Sequence, residues 1–381
     1  MEYDIIIVGA GPAGISTALH LAQVAPELVS RTIILEKMQH PRPKLCGGGV
    51  LPDGEVILNQ LGLDITEVPH CNVGWAHFDY DGQGMAMRSE KHGRFAFRTV
   101  RRREFDAWLA DKVRQRGFRI HENTGVKRAA VDRSGVTLET DHGSYRARVV
   151  VGADGSNGVI RRAVVPHGKS HVARLLEVVT EPKPDASFHT QADAYFDFVV
   201  VPEGILGYVW DFPAIDNGRP VRVRGVYDSK VHAVKPVVAL REALADEFRR
   251  HGLDLDEHHL EGFPMRWFDP HAAFSAPRLL LVGDAAGADA LYGEGISLAL
   301  GYGGFAAGAI KDGFERGDFS FTSYTSTLLR SEMGKALRRR AWCARFVYGI
   351  RSRRVQALVW RKLGWATAWV VRTFLIGWAR R

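Results

Sequence analysis

Cysteine is scarce in this chain. It occurs three times in 381 residues, at Cys46, Cys71 and Cys343. Three cysteines do not make a disulfide framework, so a reducing, cytoplasmic setting is expected. No Cys-x-x-Cys, His-Glu-x-x-His or other spaced Cys/His set occurs, so no metal site is expected. Long apolar runs are missing as well. The longest uncharged run in the C-terminal region, residues 363–371, has nine residues, against the ~20 that a spanning helix needs. The apolar N-terminal segment follows Glu2 and Asp4 and has no small-residue cleavage site. It reads as a first strand, and no signal peptide is expected. Acidic residues stop at Glu332. Residues 1–332 hold 38 basic and 43 acidic residues, a net charge of −5, and the 13 Lys and Arg from Met333 onward bring the chain to +8. The remaining composition, 46% hydrophobic and 25% charged, allows an ordinary core, and the length suggests two domains.

Residues 3–36 are the most informative stretch. Tyr-Asp-Ile-Ile-Ile-Val-Gly-Ala-Gly-Pro-Ala-Gly is followed by an apolar-periodic run and then by Ile-Ile-Leu-Glu. This is a strand, a glycine turn, a helix and a second strand ending in an acid. Gly9 permits the sharp turn, Gly11 lets the backbone approach a pyrophosphate, and Gly14 lets the helix pack on the strand. Helix N-terminal amides would face the phosphates, and Glu36 would accept from a ribose.

Downstream, the pattern predicts a loop over 40–50, a helix over 52–61 and a strand-rich piece over 73–99. An amphipathic helix over 101–116 would bury Phe105, Leu109 and Val113. Strands are expected near 118–121, 126–131 and 135–151, and an antiparallel sheet with one or two helices over 170–268. A buried strand over 278–284 runs into a Gly/Ala-rich helix, and the tail from 333 reads as helical. The expected domains are a discontinuous dinucleotide-binding domain (1–72, 97–168 and 270–330), an antiparallel-sheet domain (73–96 and 169–269) and a basic, Trp-rich tail (331–381). A sheet laid over the strand ends would roof an apolar cavity.

Two more motifs carry chemistry. Val151-Gly-Ala-Asp-Gly-Ser-Asn157 ends a strand in Asp154, which would bond a cofactor group or cap the next helix. Gly283-Asp-Ala-Ala-Gly287 and Tyr292-Gly-Glu-Gly-Ile296 place Asp284 to accept from a ribityl hydroxyl and bring a helix N-terminus, positive by its dipole, to the end of a flavin. The order of these motifs resembles the FAD-dependent hydroxylase superfamily of para-hydroxybenzoate hydroxylase type. Within it the chain is most similar to the geranylgeranyl reductase family. Pro41-Arg-Pro-Lys-Leu-Cys-Gly-Gly-Gly49, Arg102 with Phe105-Asp106, Tyr208-x-Trp210-x-Phe212-Pro213 and Gly293-Glu-Gly-Ile296 carry that likeness, over residues 1 to about 310. The family often has a proline shortly before Gly-Glu-Gly, where this chain has Ala290. The tail has no counterpart in the family's motifs.

The resemblance implies an α/β fold: a Rossmann-like FAD-binding domain interrupted by an antiparallel β-sheet substrate domain, with a helical C-terminal tail. It implies FAD held by Gly9, Gly11, Ala13, Gly14, Glu36, Arg102, Val126, Asp154, Asp284, Gly293, Gly295 and Ile296. Lys44, Cys46, Gly47 and Gly49 would lie along the isoalloxazine. It further implies a reductase that saturates carbon–carbon double bonds of an isoprenoid chain on a lipid or quinone, with NADPH or a small carrier as electron donor. Hydride would go to one alkene carbon and a proton to the other. Cys46 is the candidate acid, and otherwise a small buried hydrophobe. Tyr208 and Trp210, two apart on a strand, share one face and form either a cavity wall or ordinary core. A flavin monooxygenase and a non-catalytic, membrane-bound flavoprotein remain as alternatives. In the tail, Arg354, Arg361 and Arg372 are spaced by 7 and 11 residues and would share a stripe, and five of the nine tryptophans lie there. Residues 335–381 would therefore lie on an anionic membrane surface, on the inner face of the cell membrane, or pack as a hairpin on the body. No nucleic-acid partner is expected.

Overall fold

The computed structural model describes residues 1–88, 95–165, 171–182 and 192–380. The expected boundary at 168/169 and residues 89–94 of the strand-rich piece lie outside the described residues.

Five parallel strands run side by side in the order Arg119–His121, Thr32–Leu35, Glu2–Val8, Gly143–Gly152 and Leu279–Leu281. Their β-branched and leucine side chains, such as Ile5, Ile6, Ile33, Val150 and Leu280, are fully buried, as a sheet covered on both faces requires. Helices Pro12–Val24 and Ile296–Arg316 pack together, Ser16 Oγ donating to the Leu300 carbonyl at 2.6 Å. Helix Arg102–Gln115 buries Phe105, Leu109 and Val113. The segment expected as one strand over 135–151 is a hairpin, Val136–Thr140 and Gly143–Gly152, because Asp141 and His142 turn the chain back and pair Thr140 with Gly143.

A second, seven-stranded sheet has the order Glu261–Arg266, Val172–Thr180, Arg219–Asp228, Gly207–Asp216, Ala194–Asp197, Ala76–Tyr80 and Gln83–Met87. Every pairing is antiparallel except Ala194–Asp197 with Ala76–Tyr80, where the earlier chain segment joins. A small sheet of Gly49–Val50, Phe97–Val100 and His70–Val73 ties the 40s loop to both units. A two-residue strand is too short to leave a periodic signature, so the sequence did not indicate it.

The tail is broken. Helix Glu332–Gly349 is followed by Arg353–Ala357 and Gly364–Val370, with wider π turns at Leu358–Lys362 and Val371–Leu375. Those turns disrupt the 3.6-residue register. Arg354, Arg361 and Arg372 are all exposed, and Arg361 also donates to the Tyr80 carbonyl at 3.0 and 2.7 Å. The tail packs on the body. Trp360 stacks on Phe198 with centroids 3.9 Å apart, and the Asp53 carboxylate accepts the Gly377 and Ala379 amides at 2.8 Å each. Its outer side keeps Trp342, Trp365 and Trp369 exposed, at 65%, 77% and 59%. Among the described residues, no helix is long and apolar enough to cross a membrane.

Candidate active site

The loops leaving the carboxyl ends of the parallel strands open onto one cavity of about 1070 Å³ that runs on to the face of the seven-stranded sheet. The glycine turn is part of its lining. Gly9 has φ +107°, and a Cβ there would stand 2.3 Å from the Ala153 carbonyl oxygen, so only glycine lets the two strand ends approach. Gly14 does not line the cavity; a Cβ on it would meet Gly9 O at 2.0 Å, so it serves helix–strand packing. Gly11 and Ala13 line the cavity at the helix N-terminus. Glu36, buried, accepts the Ala10 amide at 2.8 Å and the Met38 amide at 3.1 Å, each oxygen keeping a lone pair for a sugar hydroxyl. Val126 lines the same end, beside Thr124 and Gly125.

Two guanidinium groups flank Gly11. The nearest atoms to a Cβ at that residue would be Arg42 Nη2 at 3.6 Å and Arg102 Nη2 at 3.9 Å. Asp106 holds Arg102 in a fork, at 2.6 and 2.8 Å, and stands 3.3 Å from Arg42. Arg42 Nε is buried with no hydrogen-bond partner among the described residues, 3.5 Å from Glu36. Two fixed cations beside helix amides suit a pyrophosphate. Arg42 was missed from the sequence. It lies in the 40s loop between two prolines, and nothing in its neighbourhood distinguishes it from a solvated arginine.

Asp154 bonds the Ile160 amide through Oδ2 at 3.0 Å, the capping role, while Oδ1 is buried without a partner among the described residues. Burial raises its pKa. Asp284, Gly293, Gly295 and Ile296 line the next part of the cavity, and Gly295 begins the 21-residue helix Ile296–Arg316, whose positive end faces inward. Across from them runs the 40s loop. Lys44 Nζ lies 3.0 Å from the Phe263 ring centroid, and burial brings its pKa down to about 8 although Asp284 opposes the shift. Cys46 Sγ accepts the Gly48 amide at 3.3 Å, and burial raises the thiol pKa. The Cys46 amide donates to Glu177 Oε1 at 3.4 Å. Burial pushes Glu177 up to about 7, against the pull of Arg101, whose Nη1 is 3.7 Å away. Gly47 and Gly49 complete the loop's lining, and Trp210 Nε1 would be 3.3 Å from a Cβ at Gly47.

The far end is aromatic. Tyr208, Trp210 and Phe212 alternate along strand Gly207–Asp216 and all three line the cavity, with Phe97 and Phe196 beside them. Trp210 lies across Gly225 on the next strand; a Cβ there would stand 2.2 Å from the indole, so glycine makes the space. The Tyr208 hydroxyl donates to the Tyr292 carbonyl. The 40s loop, the Tyr208–Trp210 strand and the 293–295 turn thus meet at one cavity. The tail also contributes to its wall, through Val371, Arg372, Ile376, Gly377 and Arg380.

Arg42 Nε, Asp154 Oδ1 and Trp210 Nε1, without partners among the described residues, together with the paired arginines and the glycine cradle, fit a dinucleotide whose ring reaches the aromatic end. This is the constellation of a flavin-binding α/β protein: the chain matches the FAD binding domain family over residues 2–290 and belongs to it. Among its relatives is the digeranylgeranylglycerophospholipid reductase 1 of Methanopyrus kandleri, 28% identical over 348 residues, spanning 84% of this chain and 83% of that protein. A solved geranylgeranyl bacteriochlorophyll reductase-like structure from Thermoplasma acidophilum has TM-score 0.79 at 22% identity, covering 95% of this chain and 91% of that one. The halogenase PltM shares the fold at TM-score 0.74 and 17% identity, covering 98% of this chain and 82% of that one.

Proposed function

We propose that this chain is an FAD-dependent reductase that saturates carbon–carbon double bonds of an isoprenoid chain carried on a lipid or a quinone. The observation that carries the reading is the continuity of the cavity, from the Gly9–Glu36 groove to an aromatic wall at Tyr208, Trp210 and Phe212. The reductase named among its relatives supports it.

Bound FAD, once reduced, would supply two electrons and a hydrogen to one alkene carbon. Glu36, Arg42 and Arg102 would hold its ribose and pyrophosphate, and the helix beginning at Ile296 would favour negative charge at its ring. An unactivated alkene has no carbonyl to take up charge, so cationic character develops as the second carbon is protonated. The faces of Trp210 and Phe212 stabilise such a centre, and the apolar wall keeps water from it. The Tyr208 proton is committed to the Tyr292 carbonyl. Cys46, kept protonated by burial and with its sulfur oriented by the Gly48 amide, is the proposed donor. Electrons would come from NADPH or a small electron carrier.

The substrate class also accounts for the tail. Its surplus of positive charge and its exposed Trp342, Trp365 and Trp369 suit an anionic bilayer, which would put the protein on the cytoplasmic face of the cell membrane. The test is mass spectrometry of isoprenoid lipids and quinones incubated anaerobically with dithionite-reduced protein. Gains in steps of two hydrogens support the proposal. Products that form only with oxygen, and carry an added oxygen atom, would replace it with a monooxygenase.

A further inference from the structure

Arg340 is a large side chain that is completely buried, on a tail helix whose other arginines largely face outward. Its Nη1 stands 3.4 Å from Asp289 Oδ2 and 3.5 Å from Glu294 Oε2, and its Nε donates to the Leu375 carbonyl at 2.8 Å. Both acids also hold backbone. Asp289 accepts the Leu291 amide at 2.7 Å and the Tyr292 amide at 3.2 Å, and Glu294 Oε1 accepts the Ser297 amide at 2.7 Å, at the start of the long helix. Tyr292 and Gly293 lie between them and Gly295 directly follows, all lining the cavity, and Leu375 belongs to the tail turn that also brings Val371 to the wall. Tyr348, on the same tail helix as Arg340, donates to the Leu291 carbonyl at 2.5 Å.

A buried arginine between two carboxylates is weak evidence for stability, because desolvation offsets much of the attraction. It does fix geometry, because Nε and Nη1 of one planar group meet three acceptors from two chain segments, while Nη2 has no partner among the described residues. We infer that Arg340 is a positioning residue that locks the 289–296 turn to the tail, so that the tail sets the shape of the cofactor-facing Gly293–Gly295 backbone.

This inference rests on FAD binding, which family membership carries, and not on the isoprenoid substrate. It is tested on the full chain without substrate, by titrating apo-protein with FAD and recording the visible spectrum and midpoint potential of the bound flavin. R340M should weaken FAD binding about tenfold or more and shift the potential; R340K, which keeps the charge but not the fork, should weaken it about threefold. Should R340M fail to fold, R340K alone decides. A folded variant with wild-type FAD affinity, spectrum and potential, lowered only in melting temperature, makes Arg340 a structural ion pair and overturns the inference.

Discussion

At the scale of single residues, the groups that determine function here are small or buried. A Cβ at Gly14 would press on the Gly9 carbonyl oxygen at 2.0 Å. G14A should therefore push the first helix off its strand, destabilise the fold by roughly 1–3 kcal/mol and abolish retention of FAD; thermal melts and the flavin absorbance of purified protein check both. C46A should keep its flavin yet slow alkene reduction by about 10²-fold, the lower end for a lost proton donor; undiminished turnover would remove Cys46 from the mechanism. Glu177 gives a pH test. Its folded pKa near 7 lies above the ordinary glutamate value, so the folded state holds the proton more tightly than the unfolded one. Its contribution is favourable below about pH 4.5 and is lost as pH rises to 7. Over that range E177Q should gain stability relative to wild type in thermal denaturation, and a constant difference would contradict the assignment. Residues 3–36 were readable because their chemistry is local: turn, amide cluster and acid lie within one βαβ unit. Arg42 and Glu177 were not, because their partners, Asp106, Arg101 and the Cys46 amide, arrive from distant segments.

Among the elements, the tail departs most from its pattern. Charge and aromatic content marked it as distinct and helical, but not where its helices break. The π turns at Leu358–Lys362 and Val371–Leu375 send Trp360 and Trp378 into the body and leave Trp342, Trp365 and Trp369 outside. The signal for Arg340 was present: Met333, Ala336, Leu337, Arg340, Ala341, Ala344 and Tyr348 form a helical apolar stripe with one arginine in it, and all are buried. The double variant W365A/W369A should reduce binding to vesicles containing anionic lipid by about tenfold, leave FAD affinity unchanged, and show little binding to neutral vesicles; co-sedimentation at two salt concentrations reads this. Equal binding by wild type and variant would leave the exposed tryptophans without a membrane role. The seven-stranded sheet was better marked, since alternation in Val221–Tyr227 reports a strand directly, whereas the two-residue Gly49–Val50 strand has no periodicity to read.

For the whole molecule, three segments far apart in sequence converge on one chamber, the 40s loop, strand Gly207–Asp216 and the turn before Ile296. Motif order suggested which segments belong to the site, but no local pattern could reveal that the tail also closes its wall. The central claim is that this chamber brings a reduced flavin and an alkene together without oxygen. The direct measurement is an anaerobic single turnover: photoreduced holoprotein mixed with a lipid bearing geranylgeranyl chains, followed by flavin absorbance and by product mass. The account predicts reoxidation of one flavin for each pair of hydrogens gained by the lipid. Flavin that stays reduced until oxygen is admitted, with the lipid unchanged in mass, would contradict it.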